Sequence, residues 1–140
     1  MDHDPLEQAA LDSRRAERRT GAGLAIVGAV FLAAGVLLCV IGNPWMGAAA
    51  LSFGAMCALT SIVHFTGEDA PAARLAAIIA SGLFALTGAI MLVSGILAPG
   101  VWGWRGGVSA IIAGAICLGF FGLCTVLLIV RERRRRRLAR

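Results

Sequence analysis

Charged side chains are confined to the ends and joins of this chain, and between them lie four long apolar runs, residues 22–42, 44–65, 75–98 and 107–130. An uncharged apolar stretch of about 18 residues or more is long enough to cross a bilayer core as a helix. The pattern predicts an all-α, polytopic membrane protein with four transmembrane helices over about 22–42, 44–65, 74–98 and 107–130. No Asp, Glu, Lys or Arg falls in the middle of a span. Around this core stand a polar, basic leader over 1–20 and an Arg-rich tail over 131–140. That leaves no room for a second folded domain, so one compact bundle is expected.

The charges orient the spans. All 13 basic residues are arginine. Arg14, Arg15, Arg18 and Arg19 precede the first span, Arg74 lies at the middle join, and Arg131, Arg133, Arg134, Arg135, Arg136, Arg137 and Arg140 follow the fourth. In a four-crossing layout these share one side, and only Arg105 lies on the other. By the positive-inside rule both termini and the middle join are expected in the cytoplasm, with the spans in a plasma or inner membrane. Trp45, Trp102 and Trp104 fall at the two outer turns, where indole rings favour the headgroup level and act as interface anchors. The tail residues Arg131, Arg133, Arg134, Arg135, Arg136 and Arg137 could also be read as a nucleic-acid patch. Their nearest partner is anionic lipid, worth roughly 1 kcal/mol per basic residue near the surface.

The leader starts like a helix, with Asp4 as cap, Pro5 in the first turn and Glu7 three residues on. Leu6, Ala9, Ala10 and Ser13 share a weakly apolar face, so a short surface helix running into the first span is expected. Ser13-Arg14-Arg15 superficially matches a twin-arginine export signal, but Ala16 and Glu17 follow it, and the next run is long enough to be retained as a span.

The four spans read as two similar hairpins. Phe31, Gly35, Val40 and Gly42 match Phe84, Gly88, Val93 and Gly95 at a shift of 53. Gly47, Ala50, Gly54, Ala55 and Cys57 match Gly107, Ala110, Gly114, Ala115 and Cys117 at a shift of 60. The difference implies a seven-residue insertion in the second outer turn. Both hairpins would run parallel, related by an axis along the membrane normal.

Against lipid, helices associate through close contact between small residues rather than through the hydrophobic effect. Candidate packing stripes recur every four residues: Gly21, Ala25, Ala29 and Ala33 in the first span, Ala50, Gly54 and Ala58 in the second, Ala73, Ala77, Ser81, Ala85 and Ala89 in the third, and Ala110 with Gly114 and Ala115 with Gly119 in the fourth. Thr60, Ser61, Ser81, Thr87, Ser94, Ser109 and Thr125 can satisfy themselves by bonding back to their own helix carbonyls.

Reactive chemistry is sparse. Cys57 and His64 match Cys117 and Cys124 in the repeat, and symmetric packing would set Cys57 against Cys117 and His64 against Cys124. Such ligands suit zinc or copper(I), but seven helical residues span about 10.5 Å, so they would form two half-sites and not one coordination sphere. Buried filler cysteines, Cys39 among them, are the simpler expectation, and no metal or cofactor is assigned. Haem would need a second histidine facing His64. Asp69, next to Glu68, is expected to cap the third helix beside Pro71, and Arg74 to snorkel toward phosphates. No phosphate loop, nucleophile elbow or HExxH pair is present, so an enzyme is not expected.

In span count and length the chain resembles the small multidrug-resistance transporters. Those depend on a membrane-embedded glutamate in the first helix, which residues 22–42 lack, so their function does not carry over. The reading is a small membrane protein of structural, accessory or regulatory type, acting through helix contacts with its own copies or a larger partner. The alternatives are a small transporter or channel for a neutral or hydrophobic solute, and, further back, metal handling.

Overall fold

The structure, a computed structural model, describes residues 5–67, 70–103 and 106–138. It is all helical: α1 (Pro5–Ile41), α2 (Pro44–Thr66), α3 (Pro71–Leu97), a single 3-10 turn (Pro99–Trp102) and α4 (Gly106–Leu138). All four α-helices are long and apolar enough to span a membrane. α1 is one unbroken helix of 37 residues, so the leader runs directly into the first span. At 1.5 Å per residue α1 is about 55 Å long, well beyond a hydrocarbon core of about 30 Å. α4, with 33 residues, likewise carries its arginines out on a helical extension.

Local chemistry sets the turns. Gly42, at φ +97, takes the left-handed conformation that ends α1. Asn43 then caps α2, its side chain accepting from the Met46 N–H at 3.3 Å, with Pro44 in the first turn. Gly67, at φ +82, closes α2. The cap position of α3 is held by Ala70, with no side-chain cap bond, and not by the expected Asp69. Asp4, Glu68, Asp69, Trp104, Arg105 and Arg140 lie outside the described residues.

Each helix packs antiparallel on the next in chain order. Among the described residues no extended interface joins α1 to α3 or α4, or α2 to α4. The four helices therefore form an open row, α1–α2–α3–α4. One end of the row carries both termini and most arginines; the other carries the turns with Trp45 and Trp102.

Within each hairpin the helix backbones nearly touch. A Cβ built on Gly28 of α1 would lie 2.9 Å from the Gly54 carbonyl oxygen and 3.0 Å from the Ala58 nitrogen. One built on Gly54 would lie 2.9 Å from the Gly28 carbonyl oxygen and 2.8 Å from the Leu32 nitrogen. The second hairpin repeats this: a Cβ on Gly88 would lie 2.9 Å from the Gly114 carbonyl oxygen and 2.7 Å from the Leu118 nitrogen. Nearer the tryptophan end, Gly35 sits against Gly47 and Leu51, as Gly95 sits against Gly107 and Ile111. Every one of these contacts recurs at a shift of 60 on both helices. The contact register thus corresponds at a shift of 60 for α1 and α3 as well as for α2 and α4. The second outer turn differs in shape only: Pro99 breaks α3 early, and a 3-10 turn fills the space of the last turn of α1.

Substitution should separate seam glycines from passive ones. Gly54→Ala and Gly114→Ala force helix backbones apart and should each destabilise the protein by about 1–3 kcal/mol. Gly119→Ala and Gly122→Ala meet nothing within 4 Å and should be neutral or stabilising, since alanine is the better helix former. Thermal unfolding in detergent micelles measures both.

Candidate functional site

The small-residue seams lie partly where expected and partly one step round the helix. Gly54, Ala110 and Gly114 are buried, while Ala50, Ala77, Ser81 and Ala85 are half-buried. In α1, however, Ala25 is only half-buried, and Ala29 and Ala33 are exposed. The buried positions there are Gly21, Gly28 and Gly35, spaced by seven. The reason is geometric. At about 100° per residue a step of four drifts about 40° around the helix, whereas a step of seven drifts only about 20°. Only the longer period keeps facing a straight partner. In α3, Ala73, Ala80, Thr87 and Ser94 follow the same period, and all are buried.

The junction between the hairpins, α2 against α3, is made differently. Ser52 and Thr87 face each other at 2.6 Å, both buried, and each is also placed to bond back to its own helix at Ala49 or Leu83. Beside them Phe53 and Phe84 meet edge to face, inside a chain of rings that runs from Phe31 of α1 to Phe121 and Phe120 of α4. Between α3 and α4, the Ser81 hydroxyl donates to the Phe121 carbonyl at 3.2 Å, and Thr125 lies 3.0 Å from the Ser81 oxygen. Thr87, Ser81 and Thr125 thus link helices, beyond the self-bonding expected of them. Ser52 was missing from that set, though a hydroxyl in an apolar span was the available signal.

At the tryptophan end, the Trp102 indole N–H donates to the Ser94 hydroxyl at 3.0 Å, and Ser94 is completely buried. This bond ties the 3-10 turn down onto α3, so Trp102 is a structural clamp as well as a ring at the rim. Trp45 stands half-buried in the first turn of α2.

The Cys and His positions do not converge. Cys57 packs against Gly28 of α1, and Cys117 against Gly88 of α3. His64 lies against Gly21 of α1, while Cys124 stands half-buried on α4. The pairs that symmetric packing would make do not form: Cys57 and Cys117 each lie against a glycine of their own hairpin partner, and among the described residues α2 and α4 share no extended interface. Among the described residues no three His, Cys, Asp or Glu side chains come together as a metal-ligand group.

Among the described residues, the charged cluster that bridges helices lies at the basic end. Glu132 of α4 accepts from Arg136 Nε at 3.0 Å, one helical turn on, and its other oxygen stands 3.9 Å from Arg74 of α3. The sequence pattern puts Arg74 and Arg136 at span ends but carries no signal that pairs them with Glu132. The hydrogen bond from Arg136 holds the Glu132 carboxyl below the usual carboxylate range; partial burial pulls the other way, and the charges of Arg136, Arg74 and Arg135 add to the lowering. No protein-family model matches the chain, and neither a curated protein nor a solved structure does.

Two outcomes follow. In a double-mutant cycle, Ser52→Ala with Thr87→Val should show a coupling of about 0.6 kcal/mol and at most about 1.7, the range for hydrogen bonds between membrane helices. Because the Glu132 pKa is depressed, its link between α3 and α4 contributes stability above the ordinary carboxylate range and loses it as pH falls through the lowered value. Spin labels at Leu75 and Arg133 should therefore separate only on strong acidification, and Glu132→Gln should separate them already at neutral pH. A Glu132→Gln protein indistinguishable from wild type at neutral pH would refute the link.

Proposed function

We propose that this chain is a small integral membrane protein of structural, accessory or regulatory type, which works by presenting helix faces to other helices in the bilayer. The observation that carries this reading is the open row. Its centre is closed by the Ser52–Thr87 and phenylalanine contacts, while its two edge helices keep long apolar faces uncovered. Ile26 and Val30 of α1 are 66% and 59% exposed, and Ile116 and Phe120 of α4 are 65% and 61% exposed. No Asp, Glu, Lys or Arg lies in the middle of any span, and His64 stands at the end of α2, which supports contact over ion-coupled transport. A flux of neutral solute between the hairpins finds less support, because α2 and α3 meet directly.

In this reading both termini face the cytoplasm, held there by the arginines that crowd one end of the row. The hairpins are a duplicated unit in parallel orientation, a proposal supported by the glycine contacts that recur at a shift of 60.

Crosslinking tests the contact reading. Cysteines placed at Val30 and Ile116, in a protein lacking the four native ones, should give a homo-oligomer or an adduct with a larger partner in native membranes. A protein that stays strictly monomeric under mild extraction, with no adduct from either position, overturns it. For topology, a membrane-impermeant maleimide should label Arg137→Cys only after the cytoplasmic face is opened and label Gly103→Cys in intact cells. The reverse pattern would invert the orientation.

A further inference from the structure

The arginine-rich end of α4 is not uniform. At about 100° per residue, Arg131, Arg135, Glu132 and Arg136 share one side of the helix with Leu128, while Arg133, Arg134 and Arg137 occupy the other. The first side faces α3, and the groove there holds a cavity of about 240 Å³ lined by Arg74, Ala77 and Ile78 of α3 and by Leu128, Arg131, Glu132 and Arg135 of α4. On the other flank of the Arg74–Glu132 pair a smaller hollow of about 70 Å³ is lined by Pro71, Leu75, Ile78 and Arg136 with the same pair.

We propose that the larger cavity is a binding site for the phosphate of an anionic phospholipid headgroup. The chemistry of the lining is divided along the membrane normal. Ala77, Ile78 and Leu128 form an apolar floor on the side of the spans, suited to the first carbons of acyl chains. Arg131 and Arg135 stand above it, one helical turn apart, with Arg74 across the groove. Guanidinium groups are matched to phosphate by their planar fork of donors. Glu132 does not cancel this charge. Its carboxylate is already engaged by Arg136 and Arg74, so the cavity lining of Arg74, Arg131 and Arg135 against the single acid Glu132 keeps a net positive charge. Glu132 also holds Arg74 at the wall of the cavity. A basic pocket between helices at the membrane boundary, with an apolar base, is the form in which anionic headgroups are recognised. A soluble phosphate would use the arginines but leave the apolar floor wet, and this favours a lipid.

This inference rests on the membrane reading given above, and the experiment separates the two. The full chain, retained in membranes after alkaline wash, is purified in detergent and titrated with dioleoyl phosphatidylglycerol or dioleoyl phosphatidylcholine, with bound lipid counted by native mass spectrometry. Loss of the chain in the alkaline wash would defeat the membrane reading and not the pocket chemistry. Wild type should hold one phosphatidylglycerol in preference to phosphatidylcholine. The pair R131Q and R135Q should weaken that retention by about fivefold per arginine removed. The pair R133Q and R134Q makes the same charge change on the opposite side of α4 and should alter it by less than about twofold. Equal losses in the two pairs, or no preference for phosphatidylglycerol in wild type, overturn the site. Displacement of the lipid by millimolar glycerol 3-phosphate would assign the arginines to a soluble phosphate and overturn the lipid assignment.

Discussion

The close approach of paired helix backbones at glycine is the constraint from which most of this structure follows. Apolar side chains gain almost nothing by leaving lipid for protein, so association must come from dispersion between well-fitted surfaces and from short-range polar contacts. Both fall off steeply with separation. Gly28 with Gly54, and Gly88 with Gly114, present no side chain at the crossing, so each glycine would put a Cβ within 3 Å of its partner's carbonyl oxygen. With only hydrogens there, the arrangement is that of mutual Cα–H···O contacts. Leu32 and Leu92 then lie over the facing glycines and fill the flanks. The register of each hairpin is fixed at these points, and the turns must accommodate it. The second turn, broken by Pro99 and clamped by Trp102 on Ser94, does so with different geometry from the first.

The hairpin junction is held by another kind of contact, and the difference has a physical consequence. Ser52 with Thr87, and Phe53 with Phe84, join α2 to α3 through side chains and not through backbones. Side-chain contacts tolerate rotation and exchange of rotamers more readily than a glycine crossing does. The molecule is thus two stiff pairs linked by a softer seam, with the ring of Phe84 stacked on Phe121 at 4.0 Å carrying the aromatic chain into the second pair. An open row built this way has two edges, α1 and α4, and both are covered by whatever the bilayer supplies.

How much of this was legible in the sequence depends on the range of the signal. The four spans, their ends at Gly42, Asn43, Pro44 and Pro71, and the segregation of arginine to one end are local and were readable. Periodicity was readable but ambiguous. Patterns of small residues match at steps of both four and seven, and only the rotation per residue decides that Gly28 and Gly35, not Ala29 and Ala33, face α2. The matches at shifts of 53 and 60 share this ambiguity: the two differ by one heptad, so they set similar helix faces over each other. Neighbour relations between helices were not legible. Nothing periodic marks Ser52 as the partner of Thr87, or Glu132 as the partner of Arg74, since each pairing depends on which helices adjoin. The same holds for Cys57 and Cys117, whose facing was conditional on symmetric packing of the hairpins: Cys57 instead lies against Gly28, and Cys117 against Gly88.

The lone acid in the tail shows how a single residue can give direction to a charge run. Six arginines on a helix beyond the apolar span would repel one another and splay the last turns of α4. Glu132 stands one turn before Arg136 and across from Arg74, so it lowers that repulsion and anchors the start of the extension to α3. α4 runs unbroken from the span into the tail, so the packing that fixes its rotation on α3 also fixes which arginines face the groove. Arg131 and Arg135 line it beside Arg74, while Arg133, Arg134 and Arg137 turn away. Composition alone supplies attraction to an anionic surface; only a helix pinned in rotation can supply a site.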